Sequence, residues 1–177
     1  MELSEKHRSW LIREQVIAPA VINFALNAGI AWLLFRGRGI VPLWGEGGVA
    51  QDAIATLFLL PFLTCLIVTP LVRRAVGAGK VPPLDAAIGL PRSIERLPRA
   101  LLARAAALGL GGIVAGAPLV LGAVVLAGGA LAPATLVFSK GVYTAALAAL
   151  VGPMIALRTL AESRECSTIS LRPTFRS

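Results

Sequence analysis

The chain has 177 residues, of which 56% are hydrophobic and only 15% are charged, and its formal net charge is +8. Soluble domains average about 45–50% apolar and 25% charged residues. The mean hydropathy of +0.80 therefore excludes an ordinary soluble domain and favours a membrane protein. The length fits a single domain, since one domain takes roughly 100–200 residues.

The positive charge raises nucleic acid as a partner, because basic proteins bind phosphate backbones. Here the basic residues lie between long apolar segments, without interleaved aromatic residues or a recognition motif. We therefore expect no nucleic acid partner. Lys and Arg beside membrane spans set orientation and contact anionic lipids. Membrane lipids are the expected partners, chiefly at the basic loop 73–104.

The first half of the chain contains two apolar segments. Residues 1–15 carry mixed charges and predict a short interfacial helix. Residues 16–35 hold no charge and are long enough to cross the roughly 30 Å hydrocarbon core as a helix. After a glycine-rich loop over 36–52, residues 53–72 form the second predicted span, with Asp52 at its expected N-cap.

Prolines interrupt several of the predicted spans. Pro61 and Pro70 lie in the second span, and Pro118 lies in the third. A proline removes one backbone N–H and frees the carbonyl four residues earlier, so each should kink its helix or need a compensating partner. Thr64 and Thr69 are the hydroxyls expected to compensate in the second span.

The second half begins with a proline-rich basic loop over 73–99. The third predicted span, 100–127, is longer than the hydrocarbon core requires, so its first turns, with Arg104, should snorkel or tilt. Gly112 and Gly116 form a GxxxG pair, a pattern that lets membrane helices approach closely. A tight turn over 128–135 leads to the fourth predicted span.

These segments predict an all-α polytopic membrane protein, a four-transmembrane-helix bundle with Pro-kinked spans. Residues 1–160 form its single domain, with the fourth span at 136–157. The polar tail, 161–177, is expected to be disordered beyond a short helical continuation.

The distribution of basic residues predicts the orientation. Fourteen of the 17 Lys and Arg residues fall in the amino-terminal segment, the middle loop through residue 104 and the tail. By the positive-inside rule both termini lie in the cytoplasm. The composition suits a bacterial inner, or plasma, membrane.

The two halves of the chain then share one orientation. Each has a proline in its first span and closes its second span with a proline followed by an arginine. A parallel duplication of a two-helix unit is one explanation, as in some transporters. The other is chance, because proline and glycine are common in membrane helices.

Two polar sets within the spans require an explanation. Asn23 and Asn27 are one turn apart and share a helix face. The structural interpretation makes them interhelical hydrogen-bonding groups. The functional interpretation makes them, with Thr64 and Thr69, the wall of a path for a solute or ion.

Asp52 and Lys140 both lie at the predicted outer boundary of their spans. The structural interpretation is a helix cap and a lysine that snorkels to the interface. Alternatively, the two residues pair as an outer gate or entry site, which requires the second and fourth spans to be adjacent.

Enzymatic chemistry has little support. The sequence lacks HExxH, GxSxG, P-loop and GxGxxG motifs and has no paired aspartates of the kind that hold metal. His7 lies in a segment expected to be solvated, Tyr143 is expected to be an interfacial anchor, and Cys65 and Cys166 lie too far apart to pair. We expect no catalytic residue, metal or cofactor.

Two functional hypotheses remain. The first is a small integral membrane protein that acts through helix contacts, as a homo-oligomer or as an accessory subunit of a membrane complex. Two observations favour it: the lack of acidic residues at the span centres, and small residues that recur every four positions in the third and fourth spans. These small-residue stripes are Ala103, Ala107, Gly111 and Ala115, and Gly141, Ala145 and Ala149. The second is a small transporter, permease or channel whose path is lined by Asn23, Asn27, Thr64 and Thr69.

Overall fold

The computed structural model describes residues 3–85 and 88–170. Its helices are α1 (Glu5–Trp10), α2 (Ala18–Phe35), α3 (Val49–Gly77), α4 (Arg92–Glu95), α5 (Leu101–Leu126) and α6 (Pro133–Ser170). The strands are β1 (Val41–Pro42) and β2 (Ala130–Leu131). A π-helical segment, Leu11–Ile17, joins α1 to α2 without a break.

Four helices are long and apolar enough to cross a membrane: Glu5–Phe35, Val49–Gly77, Leu101–Leu126 and Pro133–Ser163. The prediction of four such helices is confirmed. The second and fourth extend beyond the predicted spans because their flanking polar turns continue the helix. In particular, α6 runs to Ser170, well into the predicted tail. Residues 171–177 of that tail lie outside the described residues.

The four long helices pack in an order that differs from their order in the chain. Helix α2 packs against α6, α6 against α3, and α3 against α5. Contacts between α5 and α6 are few, and α2 makes no comparable contact with α3 or α5. The bundle is therefore open, with α6 and α3 in the centre and with α2 and α5 on the flanks.

The two ends of this arrangement differ in structure. At one end β1 and β2 pair antiparallel, with Val41 opposite Leu131 and Pro42 opposite Ala130. We call this the β end. Gly128 and Gly129 turn the chain into β2 with φ of 95° and 77°, a region that glycine adopts without strain. The opposite end, which holds α1, α4 and the first turns of α5, is called the basic end.

The packing pattern bears on the hypothesis of a duplication. A two-fold axis that exchanges the first two spans with the last two converts the α2–α6 contact into the α5–α3 contact and leaves the α3–α6 contact in place. It also exchanges β1 and β2, which lie between the equivalent spans. The observed pairs of neighbours are compatible with this two-fold exchange, as a parallel duplication requires.

Two proline-freed carbonyls pack against glycines of neighbouring helices. Pro61 cannot donate to the Leu57 carbonyl, and Gly112 of α5 lies so close to that oxygen that a Cβ on the glycine would overlap it. At the other close interface, Pro19 frees the Gln15 carbonyl. Gly152 of α6 packs directly against that oxygen. Glycine is required at both positions because a Cβ would occupy the space of the carbonyl oxygen. The Cα–H group of the glycine then contacts that oxygen.

The contact of Gly112 with the Leu57 carbonyl changes the interpretation of Thr64 and Thr69. Thr69 is fully buried and its hydroxyl lies 3.9 Å from the sulfur of Cys65, four residues earlier. The Leu57 carbonyl is covered by α5 instead of by a threonine of its own helix.

His7 is buried, contrary to the expectation of a solvated side chain, with 5% of its surface exposed. Its Nε2 lies 2.9 Å from the carbonyl oxygen of Pro82, and its Nδ1 lies 2.7 Å from the hydroxyl of Ser4. Because a carbonyl only accepts, Nε2 donates to Pro82, and in the neutral ring Nδ1 then accepts from the Ser4 hydroxyl. His7 thus connects α1, by a hydrogen bond, to the loop that follows α3.

Candidate functional site

The β end contains the strongest candidate site, because it buries a charged pair. Asp52 lies in the first turn of α3 and Lys140 lies in the second turn of α6. The helix begins at Val49 after Gly48, so Asp52 is not the N-cap that the sequence predicted. A carboxylate in the first turn is nevertheless favourable, because the unpaired N–H groups there carry partial positive charge.

Asp52 and Lys140 form a close ion pair. The Nζ of Lys140 lies 2.5 Å from Oδ1 and 2.7 Å from Oδ2 of Asp52. The lysine side chain is only 5% exposed and the aspartate side chain 20% exposed. Lys140 therefore does not snorkel to the surface, contrary to the structural interpretation of the sequence. The pair can form because α3 and α6 are adjacent in the bundle.

A cavity of about 400 Å³ lies beside this pair, between α3, α5 and α6. Its walls are mostly apolar and include Leu119 and Ala123 of α5. The polar side chains that line it are Asp52, Thr135, Ser139, Lys140 and Tyr143. The cavity is partly open, since Leu119, Thr135 and Ser139 are exposed. A mostly apolar cleft with a few converging polar groups is a usual form of a small-molecule site.

Tyr143 belongs to this site, although the sequence suggested an interfacial anchor. Its hydroxyl is buried and makes no hydrogen bond of normal geometry within the described residues. Asp52 and Thr56 are its polar neighbours on α3. The spacing of Lys140 and Tyr143 places them on one helix face, a signal that was available in the sequence.

A smaller cavity of about 210 Å³ lies against the β-end loops. Leu34 and Phe35 of α2 and Arg38 line it, as does Asp52. Asp52 thus lines both cavities, and Lys140 lines the larger one.

The four residues of the predicted polar path lie elsewhere. Asn23 and Asn27 are on α2, and Thr64 and Thr69 are on α3, so α6 separates the two pairs. None of the four lines either cavity. The Nδ2 of Asn23 donates to the carbonyl of Pro19 at 2.9 Å, and that of Asn27 donates to the Asn23 carbonyl at 3.0 Å.

These bonds lead to a prediction for the Asn23→Leu, Asn27→Leu double variant. Both amides donate to their own helix, and the link from Thr144 to α2 uses the backbone carbonyl of Asn23, which leucine retains. We expect the double variant to fold, with a loss of stability of about 1 kcal/mol or less. Thermal unfolding in detergent measures this. Loss of the folded fraction would contradict the assignment and would show that the amides join helices.

The predicted packing glycines lie at the α3–α5 interface. Gly112 abuts the Leu57 carbonyl, and a Cβ on Gly116 would meet the Leu57 side chain. A second stripe of small residues on α5 is exposed along the helix. It consists of Ala103, Ala107, Gly111 and Ala115.

The chemistry available at the β end is electrostatic. Within residues 3–85 and 88–163, no three side chains of the His, Cys, Asp and Glu type come together as a metal site would require. A negatively charged ligand can replace Asp52 as the partner of Lys140, and a positively charged ligand can replace Lys140 as the partner of Asp52. Comparisons with protein-family models, with curated proteins and with solved structures give no match.

Proposed function

We propose that this protein is a small membrane permease for amphipathic solutes, with the Asp52–Lys140 pair as its gate. The observation that carries the proposal is a buried ion pair on the wall of a mostly apolar cavity. Four helices of spanning length support membrane insertion. The positive-inside rule favours a cytoplasmic basic end and an external β end in a bacterial inner membrane.

The cavity indicates the class of solute. Leu119, Val120 and Ala123 offer an apolar wall to a hydrocarbon portion, while the charges converge at one place. A carboxylate or phosphate on the solute would bind Lys140, and an ammonium group would bind Asp52. A lipid-like molecule with a charged or zwitterionic head group fits a cavity that has an apolar wall and charges at one place.

The ion pair provides the gate because separating it without a replacement is costly. Two unit charges at about 4 Å attract each other by about 4 kcal/mol at the effective dielectric near a protein surface. A solute that offers a replacement charge removes most of this cost. Separation of the ion pair is therefore coupled to the presence of the solute. Such coupling requires that the solute bind the open state more tightly than the closed state.

The test compares two tryptophan substitutions in proteoliposomes. Ser139→Trp adds bulk at an exposed residue that lines the cavity, whereas Val142→Trp adds the same bulk at an exposed residue of α6 that does not line it. The probe is fluorescent phosphatidylcholine, whose transfer between leaflets is followed by dithionite quenching. We expect wild type and Val142→Trp to accelerate transfer and Ser139→Trp to reduce it about tenfold or more.

Phosphatidylglycerol and a cationic lipid, each with the same fluorophore, then test the preference for head groups. Equal transfer by both tryptophan variants would contradict a role of the cavity. Absence of transfer for all three lipids in wild type would contradict the permease proposal.

A second candidate function is action through helix contacts, as a homo-oligomer or accessory subunit. The observation that favours it is the exposed small-residue stripe on α5, where Gly111 has open space at its Cα. Small residues on a free helix face allow close association with another helix in lipid. A protein without transfer activity that purifies as a stable oligomer would support this candidate.

A further inference from the structure

A cluster of arginines meets at the basic end, far from the Asp52 site. Arg73 of α3, Arg104 of α5 and Arg158 of α6 all face the carboxylate of Glu162. The Nη1 of Arg104 donates to Oε1 of Glu162 at 2.8 Å. The Nε of Arg158 lies 3.3 Å from the same oxygen, and the Nη2 of Arg73 lies 3.5 Å from Oε2.

Among the side chains that the structure describes, the cluster is not neutralised by its own residues. There, three guanidinium groups share the carboxylate of Glu162, which leaves two positive charges in excess. Arg104, which the sequence predicted to snorkel, has a side chain that is 0% exposed. Its Nε and Nη2 are buried without a hydrogen-bonding partner in the described part of the chain. Buried charges and buried donors are costly unless they are paired.

We propose that the Arg73–Arg104–Arg158 cluster is a binding site for a phosphate-bearing anion. Guanidinium groups bind phosphate oxygens through pairs of parallel hydrogen bonds, and the planar fork of arginine suits this geometry. A phosphate would supply both the missing negative charge and the missing acceptors. This site is independent of the permease activity proposed for the β end.

The exposure of the three arginines indicates how the anion enters. The Arg73 side chain is 56% exposed and makes the longest contact with Glu162. It is therefore the group that an incoming phosphate displaces first. Arg158 is 13% exposed and Arg104 is covered. The anion contacts Arg73 and Arg158 from the surface, and Arg104 adds charge and donors from beneath.

Two sources of phosphate share this chemistry. The head group of an anionic lipid reaches the end of a membrane helix directly, and inorganic phosphate reaches it from water. The full-length protein is purified in dodecyl maltoside, a detergent without phosphate, and is studied alone, with added phosphatidylglycerol, or with millimolar inorganic phosphate. The midpoint of thermal unfolding is measured for each.

Three variants make the test specific. Arg158→Gln removes a cluster member, whereas Arg74→Gln removes the same charge from the adjacent exposed position beside Arg73. Glu162→Gln removes the internal counter-ion and keeps all three arginines. We expect one phosphate source to raise the wild-type midpoint by roughly 5 °C, as saturating ligands do for chains of this size.

Arg158→Gln should lose at least half of that rise, and Arg74→Gln should retain it. Glu162→Gln should show a larger rise than wild type, because the anion then replaces the lost carboxylate. If Arg158→Gln does not fold, the Glu162→Gln result decides. A response to phosphatidylglycerol alone assigns the site to lipid, and a response to inorganic phosphate in the detergent assigns it to the free anion; both support the site.

Three results would overturn the proposal. The first is the absence of any rise with either phosphate source. The second is an equal loss in Arg74→Gln and Arg158→Gln, which would indicate diffuse surface charge. The third is a rise in Glu162→Gln no larger than that in wild type.

Discussion

Valine at Gly112 is expected to prevent most of the protein from folding, whereas valine at Gly111 is expected to be tolerated. A Cβ at position 112 would overlap the carbonyl oxygen of Leu57, and backbone cannot rotate aside as a flexible side chain can. The neighbouring Gly111 has no heavy atom in contact range. Overpacking in a core typically costs about 1–3 kcal/mol, and we expect the upper end or more here.

Gly152→Val extends the same prediction to the other close interface. A Cβ there would overlap the carbonyl oxygen of Gln15, so α2 and α6 could no longer approach. The monodisperse fraction in size-exclusion chromatography and the unfolding midpoint measure both effects. Gly111→Val is the control because it makes the same change next to Gly112. Equal loss of folded protein in all three variants would contradict this explanation. The loss would then come from the low helix propensity or the added bulk of valine, and the contacts with the carbonyl oxygens would not explain it.

Removal of either charge of the Asp52–Lys140 pair is expected to destabilise the protein strongly. Asp52→Leu leaves the 5% exposed lysine without its partner, and Lys140→Met leaves the carboxylate without its own. Breaking a buried pair in this way costs about 3–5 kcal/mol. Glu46→Gln is the matched control for charge removal at an exposed residue of the β end, and it should change stability by less than about 0.5 kcal/mol.

The Asp52→Leu, Lys140→Met double variant separates structure from function. Replacement of a whole buried pair by apolar residues is often neutral or stabilising, so the double variant should recover most of the loss. We expect it to fold but to lose lipid transfer, since no charge remains to receive the head group. Chemical unfolding gives the coupling energy of the double-mutant cycle. Retained transfer in the folded double variant would remove the ion pair from the mechanism.

Helices α3 and α6 contribute to both charged sites, one near each end, and α5 adds Arg104 to the second. At the β end the charges are balanced, one to one, and a cavity lies beside them. At the basic end three arginines face one glutamate. The balanced pair suits exchange of an internal partner for a solute, and the unbalanced cluster suits retention of an anion. The same packed helices can thus carry two different electrostatic tasks.

Several side chains were predicted incorrectly because their type suggests an environment that the fold does not provide. Arginine near a helix end usually snorkels, yet Arg104 is covered because α6 brings Glu162 to it. A lone histidine among charges is usually solvated, yet His7 is enclosed where α1 meets the chain at Pro82. In each case a residue distant in sequence supplies a hydrogen bond to the buried side chain.

The sequence by itself determined the four apolar helices, since hydropathy and length are sums over neighbouring residues and need no tertiary contact. It also determined which backbone carbonyls lose a hydrogen-bonding partner, because the N–H that a proline lacks would have bonded within its own helix. Only the tertiary structure decided which helices are neighbours and therefore which charges meet. Asp52 and Lys140 are 88 residues apart, and Arg104 and Glu162 are 58 apart. No local pattern encodes such pairs, because they depend on how whole helix faces pack together.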